Sequence, residues 1–369
     1  MRPILALSVL LGILLIFGQT EAARRRTHLP ALDWGLRVGV NTIYNDNVLR
    51  LSGPDQDAFR RYDPTFRTPI ETVDDGETEF SIHPSVQWRA PQTTMISAVY
   101  RFKDVRRVKN DFSNYQTHSL TASLRPRVRG YKWQAQVSAF TIPSFYLRVY
   151  RDRDYGTYED ARFRNWEYNG EFSVRPHDAL WLSLQGGWGS YYYNAKFTEY
   201  DTEYSEVGLE ARYATPWRPT LTARYTRRVS TNVGRDQSIN YVPSYDNSQI
   251  LEDNEYGDGD NNEDEFRLAI RSPLKFIKPI TLDGSLSTRL RRRIFTTDRS
   301  ILDDPFHRGR LDNRWEITPS LSWDALSSLE VSTYFTYEQR DSKSDVPGVS
   351  QVKNFVRREV GLGLTYKIN

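Results

Sequence analysis

The sequence predicts an all-β protein, a transmembrane antiparallel up-and-down β-barrel of about fourteen strands with short turns at one end and long loops at the other. Three observations predict it. Apolar and polar residues alternate with period two along most of the chain, the connections alternate between short and long, and aromatic residues sit near the ends of the apolar faces.

The first segment carries an export pattern rather than a strand. Arg2 supplies a positive start, Ile4 to Phe17 is an apolar run, and Thr20-Glu21-Ala22 offers small residues for cleavage after Ala22. The run is shorter than the roughly 20 apolar residues that a bilayer-spanning helix needs. The expected organisation is therefore a signal peptide at 1–22 and one barrel domain at 23–369, opening on the basic stub Ala23-Arg24-Arg25-Arg26.

Beyond residue 30 successive side chains belong to opposite faces, as they do in a strand. Leu32, Trp34, Leu36, Val38 and Val40 share one face, against Asp33, Arg37 and Asn41 on the other. Phe80, Ile82, Pro84, Val86 and Trp88 repeat the pattern. Further apolar faces run through 96–102, 118–124, 131–139, 166–174, 180–188, 207–213 and 221–225. The last five run through 266–270, 280–286, 315–323, 329–337 and 360–368. No helical spacing is sustained anywhere.

The connections support this count. Short links fall at 90–93, 126–130, 175–179, 215–219, 274–279 and 325–328, and long ones near 46–76, 104–115, 151–164, 194–200, 229–263, 295–312 and 341–354. A membrane barrel with short periplasmic turns and long external loops produces this alternation, and places both termini on the periplasmic side. A soluble barrel shares the period-two pattern. What separates the two is the loop alternation, the export signal and the placement of Trp34, Trp88, Trp133, Trp315 and Trp323 near strand ends.

Composition agrees and excludes other classes. The 369 residues are 26% charged, 38% hydrophobic and 13% aromatic, which is too polar for a helical membrane protein but suits a barrel with only one apolar face. A net charge of +3 is too small to point to nucleic acid. The absence of cysteine removes disulfides, thiolate metal sites and an acylated N-terminal anchor.

The last strand carries a more specific pattern. Gly363, Tyr366 and Ile368 form a Gly-x-x-aromatic-x-hydrophobic signal, closing on Asn369 rather than on an aromatic. With this signal the whole mature chain resembles the outer-membrane β-barrel proteins of Gram-negative bacteria, in the size range of fourteen-stranded monomeric porins and solute channels. The resemblance implies an outer-membrane location and, as partners, membrane lipid and lipopolysaccharide, the barrel assembly machinery, and small solutes or ions. It matches no named subfamily and carries no site residues.

Chemistry is expected on the polar face. Its inward basic candidates are Arg125, Arg127, Arg267 and Arg271, together with the run Arg289, Arg291 and Arg293; the acidic candidates are Glu79, Glu210 and Glu316. For most positions the expectation is a structural network of paired charges; a selectivity-setting constriction is the sharper alternative. Arg289, Arg291 and Arg293 share one strand face and make the best anion-attracting stripe, whereas Arg292 has the opposite phase and belongs at the outer rim.

The acidic stretch 252–265 offers Asp258, Asp260, Asn262 and Asp264 at alternate positions. Glu263 stands where a calcium loop needs Gly, so a solvated external loop is expected, with loose divalent binding as the alternative. Of the five histidines only His83 falls on the lumen face, no nucleophile motif accompanies any of them, and no cofactor or metal spacing occurs. A non-enzymatic protein follows. Its functional alternatives are a passive pore or solute channel, an export or assembly component such as a polysaccharide exit, and a filled barrel whose loops bind a partner.

Overall fold

The alternation folds into fourteen antiparallel strands that close into one barrel in the computed structural model, which describes residues 31–63, 70–89, 94–126, 132–151, 158–234, 259–274, 282–301 and 304–368. The expected signal peptide, Arg127 and the acidic residues 252–258 lie outside these residues.

The strands are β1 (Ala31–Asn45), β2 (Asp75–Arg89), β3 (Thr94–Arg107), β4 (Tyr115–Pro126), β5 (Trp133–Arg151), β6 (Tyr158–His177) and β7 (Leu180–Tyr193). They continue as β8 (Thr202–Ala214), β9 (Thr220–Asn232), β10 (Asn261–Leu274), β11 (Leu282–Phe295), β12 (Leu311–Leu326), β13 (Leu329–Lys343) and β14 (Phe355–Ile368). Each pairs with its sequence neighbours, and β1 closes the ring on β14, with Leu36 opposite Ile368 and Asn45 opposite Glu359. Closure leaves no strand edge unpaired, which is what permits a sheet to sit in lipid.

Within the described residues the apolar faces read from the sequence lie in these strands and point outward, and Tyr131 and Ile280 lie outside those residues. Leu209, Leu268 and Leu362 are about 60, 61 and 57% exposed, values that only a lipid-facing surface accommodates. Trp34 and Trp323 stand near the short-turn end of this band, and Trp315 toward the long-loop end. The inner face is polar, so the hydrophobic effect holds the barrel against the bilayer and backbone pairing holds it to itself.

The long-loop end departs from the expected boundaries. Residues expected to belong to the 151–164 loop include the start of β6, because β5 and β6 run on for 19 and 20 residues. Register shifts at Ile142/Phe145 and Tyr146/Arg148 let these strands bend past the membrane, where the apolar alternation has already stopped. The acidic stretch is corrected in the same way. Residues 261–265 form the top of β10 rather than a loop, with Glu263 and Glu265 turned inward.

Two short α-helices are also present among the described residues although no helical period was legible. Helix α1 (Gly53–Arg60) starts at Ser52, whose side chain accepts from the Asp55 backbone N–H while Asp55 accepts from that of Ser52, a capping box. Helix α2 (Val349–Lys353) follows Gly348, which takes φ 86, a left-handed backbone that glycine adopts freely. At 8 and 5 residues both are too short for a period to register. Val346, Val349 and Val352 pack with Phe306 into a small apolar cluster in the loops above the strands.

Candidate functional site

The lumen wall is built from inward-facing arginines and carboxylates that pair between adjacent strands. Register places Arg224, Arg267 and Arg289 side by side on β9, β10 and β11, a row of three guanidiniums at one level. Acids one step away along the strands offset their repulsion. Glu265 of β10 accepts from Arg289 at 2.7 Å, faces Arg291 at 3.3 Å and Arg267 at 3.5 Å; Glu316 of β12 reaches Arg289 at 3.8 Å. Arg293 bonds to Glu263 at 2.7 Å. The three arginines of β11 are thus brought together on the lumen face, each against a glutamate of β10.

The other candidates are distributed around the ring. Glu210 of β8 holds Arg224 at 2.5 Å and Arg212 at 3.0 Å. Glu79 of β2 accepts from Lys103 at 2.7 Å and from Asn41 at 2.9 Å. Arg271 faces Asp283 at 3.1 Å, and Arg125 donates to Gln134 at 2.6 Å. Arg125 and Arg271 lie toward the short-turn end and are separated from the β11 arginines. Arg292 points outward beside the surface cluster of Tyr225, Arg227 and Asp264, where Arg227 and Tyr225 both donate to Asp264 at 2.8 Å.

The long-loop end contains a second, denser arrangement that the sequence did not reveal. The chain after β1 turns back into the barrel mouth. Asn47 organises the turn, donating to the Leu51 and Val356 carbonyls at 2.8 and 3.0 Å and accepting from the Leu51 N–H at 2.8 Å. Within this turn Arg50 is held at φ 54, an uncommon backbone for a residue with a side chain, and meets Glu338 of β13 at 3.3 Å. Glu338 is fully buried and also binds Arg314 and, at 3.2 Å, Arg357. A carboxylate shared by three guanidiniums fixes this corner, and losing it would strand buried charge. Asp55 of α1 takes a further bond from Arg148 of β5 at 2.9 Å, tying the inserted segment to the opposite side of the ring.

Beneath these loops lies a cavity of about 330 Å³. Phe145, Phe163, Tyr191 and Tyr193 of β5, β6 and β7 line one side; Arg293, Arg340 and Lys353 of β11, β13 and α2 lie across the mouth. Among the described residues no carboxylate lines it. His307 also belongs to this lining, which corrects the expectation that only His83 faces the lumen. Its Nδ1 lies 2.8 Å from Asp304, three residues away in a loop that folds inward. The missed residues had one sequence signal, the basic character of the upper strand ends, but nothing local marks Arg50, Arg148 and Arg340 as neighbours. Among the described residues no group of three His, Asp or Glu side chains is arranged to hold a metal ion.

Closed strand order, an apolar outer band and a polar, charge-paired inner face define a transmembrane β-barrel. No family model and no curated protein matches the sequence. Among solved structures, the anion-selective porin of Comamonas acidovorans is 10% identical, with 92% of this chain and 100% of that one covered and a TM-score of 0.40. OprD of Pseudomonas aeruginosa is 11% identical (91% and 95% covered, TM-score 0.39), and a bacterial polysaccharide outer membrane secretin is 8% identical (91% and 98% covered, TM-score 0.39). At these values the likeness extends to barrel form and assigns no role to any residue here.

Proposed function

We propose that this chain is a non-enzymatic outer-membrane channel for small solutes, with a mouth narrowed by the segment after β1. The direction of the charge pairing carries this reading. Glu210–Arg224, Glu265–Arg289, Glu263–Arg293 and Arg271–Asp283 all join neighbouring strands, so these side chains lie along the wall instead of meeting across the axis. A filled barrel needs partners from opposite strands. Here the cross-mouth ties named above come from the inserted segment, through Arg50 and Asp55.

Strand number supports the same reading. Eight strands enclose only packed side chains, whereas 16–18 leave an aqueous channel, and a ring of fourteen falls toward the wider class. Planar-bilayer recording on refolded protein tests the proposal. Stable conductance steps are expected, with larger steps when Asp55→Asn releases α1 from Arg148; absence of steps in both the parent and this variant overturns the channel reading.

A further inference from the structure

We infer that the cavity at the barrel mouth is a binding site for an acidic saccharide, a sugar carrying carboxylate or phosphate groups. The inference deepens the channel reading by naming what the entrance selects, and rests on it only for the direction of access.

The cavity is lined by aromatic rings and by cations. On β5, β6 and β7 the rings form a ladder, with centroids 5.2 Å apart for Phe145–Phe163 and 5.3 Å for Phe163–Tyr191. Cations surround the cavity: Arg107, Arg148 and Arg228 of β3, β5 and β9 lie near the ladder, and Arg293, Arg340 and Lys353 lie across from it. Arg340 is the telling one. Its Nε donates to the Lys353 carbonyl at 2.5 Å, its guanidinium lies 4.9 Å from the Phe355 ring, and its counter-charge is Asp312, which Arg310 already holds. Arg310 rests 3.9 Å over Phe295 and shares Asp312 at 3.1 Å. A ligand with a flat apolar face and an anionic edge matches both kinds of lining at once.

Two buried groups narrow the class. Tyr146 is 2% exposed and Asn261 7% exposed; both line the cavity, and neither the Tyr146 hydroxyl nor the Asn261 Oδ1 has a hydrogen-bond partner. The Asn261 Nδ2 already donates to the Gly259 carbonyl at 2.7 Å, which fixes Oδ1 as the free end. A buried acceptor left empty is costly, and a bare carboxylate, having no donor at neutral pH, does not satisfy it. A sugar hydroxyl does, and it also pairs with the Tyr146 hydroxyl. The volume of about 330 Å³ lies at the lower end of the range for small-molecule sites and suits one or two sugar units, so a third unit of an oligosaccharide would lie outside it.

The test is calorimetric titration of the refolded full chain with three probes: trigalacturonate, neutral maltotriose and inorganic phosphate. Saturable, salt-weakened binding of trigalacturonate is expected, with affinity at least about tenfold above both other probes. Arg340→Gln should lower that affinity about tenfold, since a hydrogen-bonded charge is lost. Tyr146→Phe removes only the unpartnered hydroxyl, preserves the packing and should weaken binding several-fold, which guards against misfolding of the arginine variant. Equal binding of trigalacturonate and maltotriose, phosphate binding as tight as the uronate, or no binding at all overturns the site. Conductance in the same preparation separates the two readings. Uronate binding without conductance removes the channel and keeps the site, and conductance without uronate binding does the reverse.

Discussion

Replacing Glu265 by Gln probes the lumen charge pattern at the point where it is most concentrated. This carboxylate faces Arg289, Arg291 and Arg267 at 2.7, 3.3 and 3.5 Å, so its loss uncovers one net positive charge on the wall. Fourteen strands spaced about 4.8 Å apart and tilted by about 40° close at a backbone radius of about 14 Å, which puts an inward carboxylate about 10 Å from the axis. Through water at that distance a unit charge changes the energy of an axial monovalent ion by about 0.4 kcal/mol. The effect has opposite sign for anion and cation, so their permeability ratio rises about fourfold at low salt. At 0.1 M salt one Debye length intervenes and the rise falls below about twofold. Reversal potentials across a bilayer under a KCl gradient, at two mean salt concentrations, measure both values, with circular dichroism confirming that the variant folds. An unchanged ratio, or a shift toward cations, would show that Glu265 does not set the potential on the ion path.

Three further outcomes follow from other parts of the barrel. Leu268→Arg places a charge on the lipid face and should cost about 2–4 kcal/mol in urea unfolding from lipid vesicles; a neutral effect would mean that this face meets water. Gly361→Ala puts a methyl group against the Tyr334 ring, which the 2.8 Å bond from its hydroxyl to Glu359 holds in place, and should cost about 1–3 kcal/mol in the same assay. In the loop between β7 and β8, burial raises the Asp201 pKa despite the bond its carboxylate accepts from the Tyr193 N–H at 2.6 Å. A raised folded-state value means that stability falls as pH rises from the unfolded carboxylate range through the folded pKa, and stays low above it. Asp201→Asn should therefore raise the unfolding midpoint at pH 7, with the gain vanishing near pH 3; equal gains at both pH values would point to a cause other than ionisation.

The part of the barrel in lipid was written into the chain because a membrane imposes a local, repeating demand. Each strand from Leu32–Val40 to Val360–Ile368 meets lipid on one side and water on the other, so strand number and facing are legible from alternation alone. Where that demand ends, legibility ends with it. Above the membrane both faces of a strand are polar, which is why the tops of β6 and β10 read as loop and why Glu263 and Glu265 passed for a solvated acidic tract.

The arginine stripe was legible because its three members share one strand, but its partners depend on the register of β10 against β11. The mouth is still more remote from sequence. Arg50 and Glu338 lie 288 positions apart, and Asp55 and Arg148 lie 93 apart. Tyr146 and Arg340 line one cavity only because β14 closes on β1 and turns a linear order into a ring. The sequence by itself determined a fourteen-stranded membrane barrel with a charged inner face. Ring closure and the inward fold of one loop decided where those charges meet and which of them line the cavity at the mouth, because electrostatic pairing depends on distance in space and not along the chain.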